Sequence, residues 1–72
     1  MSEMQPHQQR VIGEKAELDE RLQKLTAFLA SPAGREVDDD ERYLLLRQAS
    51  FMGNYSDTLG RRIALWEAKS RG

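Results

Sequence analysis

The 72-residue sequence has no cysteine, a single histidine, a single tryptophan and only two prolines. Without cysteine neither a disulfide framework nor a thiolate metal site can form, which fits a reducing compartment. His7 has no second imidazole to share a metal with, and it is expected to lie in solvent at the start of the first helix. The longest aliphatic run, Leu44, Leu45 and Leu46, is far shorter than a bilayer span. The first residues also lack the basic-then-apolar pattern of a secretory signal, so no membrane partner is expected. Eleven basic and twelve acidic residues are interspersed and leave a net charge of −1. That balance offers no long-range field to gather DNA or RNA, and direct nucleic-acid binding is not expected. Ser31, Ser50, Ser56 and Ser70 have no plausible histidine partner, and no glycine-rich phosphate loop is present. The chain therefore reads as a non-enzyme that needs no cofactor and no metal.

What is present is helical periodicity. Val11, Leu18, Leu22, Leu25 and Leu29 fall on 3–4 spacing, broken once by Lys15, and predict a first helix over about residues 6–30. Pro6 suits its first turn, and Glu17/Arg21 and Glu20/Lys24 sit four apart on its wet side. The segment Ser31-Pro32-Ala33-Gly34 predicts a turn over 31–38, because the residue before a proline leaves the α region and glycine can adopt a left-handed conformation. Asp38 to Glu41 reads as a helix start, acidic residues being favoured at the positive end of the helix dipole. A second helix over about 39–69 follows. Its seam of Leu45, Met52, Tyr55, Leu59, Ile63 and Trp66, with Gln48 as polar member, is expected to face the first helix.

These elements predict a single all-α domain, an antiparallel two-helix hairpin. A chain of this length buries only about 60% of the surface it exposes when unfolded. Pairing two hairpins into a dimeric four-helix bundle would cover the rest, so a homodimer is expected.

Leu44 and Phe51 widen the apolar arc of the second helix beyond what one neighbour covers, and Leu65 lies further round. Tyr43, Leu46, Arg47, Phe51 and Asn54 make the candidate partner-binding region, since exposed apolar residues beside arginines are common material for a protein interface. Ala49, Gly53, Ser56, Gly60 and Ala64 form a small-residue stripe along which another helix, from the same chain or a partner, could pass closely.

The stretch His7–Leu29, HQQRVIGEKAELDERLQKLTAFL, followed after a proline turn by Leu44–Trp66, LLLRQASFMGNYSDTLGRRIALW, resembles small accessory proteins of tailed phages and prophages. The resemblance spans nearly the whole chain and rests on the two seams with Gln9, Arg10, Glu14, Gln48, Tyr55 and Arg62. Within that group, size and layout are similar to phage-encoded quorum-sensing anti-activators. That likeness implies action in the host bacterial cytoplasm against a LuxR-type transcriptional activator, whose DNA binding would be blocked, and against the type IV pilus assembly ATPase. Two alternatives stand beside it, the first of them implied by other small phage hairpins. One is an oligomeric sponge for a cyclic nucleotide immune signal, with Arg61 and Arg62 on phosphates and Tyr55 or Trp66 stacking on bases. The other is a phage structural or assembly helper.

Overall fold

The computed structural model describes residues 4–71 and contains three helices, α1 (Pro6–Ala30), α2 (Pro32–Arg35) and α3 (Asp39–Arg71). No strand occurs among the described residues.

The start of α1 follows from the residues around Pro6, which needs no hydrogen-bond acceptor at the first helical position. Gln5 is extended, its N–H donates to Gln8 Oε1 at 2.9 Å, and its carbonyl accepts from the Gln8 and Gln9 N–H groups. The end is set by Ser31, held extended ahead of Pro32 at φ −80° and ψ 162°. The Ser31 hydroxyl donates to the Phe28 carbonyl at 2.6 Å and accepts from the Gly34 N–H at 3.2 Å.

Where a plain turn is expected, the chain makes the four-residue helix α2, and Gly34 has a different role from the one its type suggests. No glycine among the described residues takes a positive φ. Gly34 is buried against the end of α1, where an added Cβ would collide with the Phe28 carbonyl and come within 2.9 Å of the Leu29 Cα. Glycine is needed here for close backbone approach. Arg42 completes the corner by donating from one nitrogen to the carbonyls of Leu29 at 3.2 Å and Gly34 at 2.8 Å. These are carbonyls at helix ends that would otherwise lack partners.

The long helices pack against each other in opposite directions. His7 meets Trp66, Lys15 meets Ser56, and Leu29 meets Arg42, so positions rise along α1 as they fall along α3. The result is a rod of 52 × 16 × 14 Å. Its core is thin: Val11, Leu18 and Leu59 are buried together with Met52, Ile63 and Trp66 packed on them, and Leu29 is buried at the corner. Leu22, Leu25 and Leu45 are half-buried. Gln48 and Tyr55 differ from the expected seam, both being exposed. Ser56 and Leu59 point inward, and since each helical residue advances about 100°, Tyr55 is carried to the rim.

Candidate functional site

Lys15, the break in the first seam, marks a polar clasp between the long helices. Its stem lies along Gly60, where a Cβ would sit 3.2 Å from Lys15 Cε, and its ammonium donates to Ser56 Oγ at 2.8 Å and Asp19 Oδ2 at 2.9 Å. The buried Ser56 hydroxyl donates to the other Asp19 oxygen. Together the Ser56 hydrogen bond and the Lys15 ammonium hold the Asp19 carboxyl below its ordinary pKa. Immediately beside it the hydroxyl of Tyr55, the residue before Ser56, donates to Glu14, the residue before Lys15, and this hydrogen bond from the neutral phenol raises the tyrosine pKa. The middle of the small-residue stripe, Gly53, Ser56 and Gly60, is therefore occupied by α1 of the same chain, with Gly53 at 3.9 Å from Leu22 Cδ2, while Ala64 is exposed. The stripe and the break at Lys15 are each visible in the sequence as separate features. Their fit becomes visible only once the register of the two helices is fixed.

The opposite side of α3 is uncovered. Tyr43, Leu44, Phe51 and Leu65 are each more than half exposed, with Tyr55 at 45%. On this side Arg47 lies over the Phe51 ring at 5.2 Å, while Arg62 lies over the Trp66 ring at 5.3 Å at the edge of the helix seam, where Trp66 packs on the core. Each pair joins a fixed positive charge to a flat aromatic face, a combination suited to an anion carrying a planar ring. Arg61 is tied instead to Asp57 at 2.9 Å, one helical turn back. Of the sequence-derived partner region, Arg47 and Phe51 are brought into contact, and Tyr43 and Asn54 lie exposed on the same helix. Leu46 lies apart from them. It lines a shallow open cleft of about 300 Å³ between the long helices, with Thr26, Leu29, Ala30, Arg42 and Ala49. His7 is exposed, as a lone terminal histidine should be, but its ring stands edge-on to Trp66 at 6.0 Å.

No group of three or more histidine, cysteine, aspartate or glutamate side chains is placed to hold a metal among the described residues. No helix among them is long and apolar enough to cross a membrane. Compared with known families, residues 5–65 match the model of a family described as Sequestin. No curated protein and no solved structure matches the chain.

Proposed function

Because the chain belongs to the Sequestin family, we propose that it acts by stoichiometric sequestration, without catalysis, and that what it holds is a cyclic nucleotide signal of host immunity. The unit is a homodimer in which two helix pairs form a four-helix bundle, working in the host bacterial cytoplasm. The observation that carries this reading is the pair of arginine–aromatic contacts along α3, Arg47 over the exposed Phe51 ring and Arg62 over the half-buried Trp66 ring at the edge of the helix seam. A cyclic nucleotide needs cationic donors for its phosphate and a flat apolar surface for its base, and each pair offers both. A sponge requires affinity and abundance rather than a reactive centre, which is consistent with a thin rod whose chemistry lies on its surface.

Thermal unfolding in the presence of a panel of cyclic mono- and dinucleotides tests it. A ligand bound only by the folded chain at 100 times its dissociation constant adds about 2.7 kcal/mol of apparent stability, so at least one member should raise the melting temperature by several degrees. A panel with no effect at saturating concentration removes the nucleotide reading.

A second reading has its own support in the exposed apolar residues Tyr43, Leu46 and Phe51. On it the sequestered partner is a protein, a LuxR-type activator kept from its promoter or the type IV pilus ATPase. Capture of such a regulator from host lysate, lost with Phe51→Asp while the variant stays helical, favours this alternative.

A further inference from the structure

Charge is unevenly placed along α3. Asp39, Asp40 and Glu41 outnumber Arg42 and Arg47 in its first half, while Arg61, Arg62 and Lys69 outnumber Asp57 and Glu67 in its second. Between them runs an uncovered stripe on 3–4 spacing: Leu44, Arg47, Phe51, then Thr58, Arg62 and Leu65. The spacing of these positions reads the same from both ends about a point between Asn54 and Tyr55, with leucine matched to leucine, arginine to arginine, and Phe51 to Thr58. A second copy laid antiparallel across that point meets Leu44 with Leu65, Phe51 with Thr58, and Asp40 with Lys69. A parallel copy would set acid on acid and base on base. From Leu44 to Leu65 the stripe is about 32 Å long at 1.5 Å per residue. A standard interface takes about 800 Å² from each partner, roughly one seventh of the 5713 Å² surface of this chain.

The same register brings Arg47 of one copy opposite Arg62 of the other, at two symmetric places, each beside the Phe51 ring and the opposing Trp66 ring. Two guanidinium groups facing each other repel, and a phosphate between them turns that repulsion into two charge-assisted contacts. We infer that α3 pairs with α3 of a second copy in this antiparallel register, and that the pair completes two equivalent phosphate sites, each built from Arg47 of one chain and Arg62 of the other. Ligand binding and dimerisation are then one coupled equilibrium: ligand tightens the dimer, and neither chain alone holds a complete site. The inference rests on the nucleotide reading for the identity of its ligand and on the charge and stripe pattern for its geometry.

Sedimentation equilibrium of the full chain tests it, in chloride and in inorganic phosphate at matched ionic strength. Phosphate should lower the dimer dissociation constant at least tenfold. Arg62→Glu places a carboxylate opposite Arg47, so this variant should dimerise at least tenfold more tightly than the parent in chloride and lose its response to phosphate. Asp40→Lys and Lys69→Asp should each weaken the dimer, and the double variant should recover it. Circular dichroism checks that each variant is helical. A dimer indifferent to phosphate, one weakened by Arg62→Glu, or a charge swap that fails to recover association would each overturn the inference. Cyclic nucleotides that stabilise the chain without changing its association would also overturn it, yet would leave sequestration standing. The full set of expected charge responses without any cyclic nucleotide effect would support the paired interface and remove the nucleotide as its ligand.

Discussion

Both sides of α3 carry leucines and aromatic rings, yet Leu59 is 1% exposed and Leu44 is 57% exposed. Composition does not separate them; what lies opposite does. The inner side meets α1, whose Val11 and Leu18 fill the space beside Leu59 and whose Lys15 reaches Ser56 over a glycine. On the outer side Leu44, Phe51 and Leu65 stay more than half exposed, and Arg47 folds back over the Phe51 ring. The inner side holds the fold together, and the outer side is left available for recognition.

The largest test of that division compares two leucines. Leu59→Ala removes a fully enclosed side chain and should cost about 2–5 kcal/mol, the range for buried leucine truncations. A loss of that size could unfold so thin a rod. Leu44→Ala should change monomer stability by no more than about 0.5 kcal/mol, as is usual for exposed positions, with its effect appearing in association. Chemical denaturation at low protein concentration measures both. Equal losses at the two positions would abolish the distinction between the sides.

Periodicity carries information about each helix by itself, and this explains which features the sequence made legible. The seams at Leu18 and Leu59, the extended residue before Pro32 and the acidic start of α3 follow from local rules. Tyr55 does not. It is in phase with the seam by residue spacing, but it sits beside Ser56, which faces inward, and its hydroxyl reaches Glu14 at the rim. Its place depends on the angle at which the two helices meet, which no single-helix pattern encodes. Gly34 was legible as a necessary glycine, for a reason the sequence did not reveal: the backbone of α1 passes where a side chain would be. The partner region was legible in part. Arg47 and Phe51 stand one turn apart on one helix and meet, whereas Leu46, adjacent in sequence to Arg47, is turned into the cleft beside Thr26.

Two glycines sharpen the same comparison at smaller scale. Gly34→Ala would push a methyl group into the backbone of Phe28 and Leu29, where no flexible side chain can yield. It should cost about 1–3 kcal/mol, the range for overpacking a filled site. Gly53→Ala meets only Leu22 Cδ2 at 3.9 Å, an ordinary contact. Alanine also removes the helix-propensity penalty of glycine, so this variant should gain about 0.5–1 kcal/mol. Opposite signs from the same substitution, read by thermal melting, would show that the corner is closed while the middle of the helix pair still has room.

The smallest effects lie in the clasp, and their signs follow from its hydrogen bonds. Asp19 titrates lower in the folded chain than in the unfolded one, chiefly because Ser56 and then Lys15 donate to its carboxylate. Its contribution is therefore fully present above the unfolded carboxylate pKa and is lost as pH falls through the lower folded value. Tyr55 titrates higher in the folded chain because its hydroxyl donates to Glu14. That contribution is present below the ordinary tyrosine pKa of about 10 and is lost as pH rises through the raised folded value. Urea midpoints measured against pH should fall away on both sides of a plateau. Asp19→Asn should flatten the acid side alone and Tyr55→Phe the alkaline side alone. If either variant altered both sides, Asp19 and Tyr55 would have to titrate as one coupled network, and the separate hydrogen bonds to Ser56 and Glu14 would not account for the two limbs.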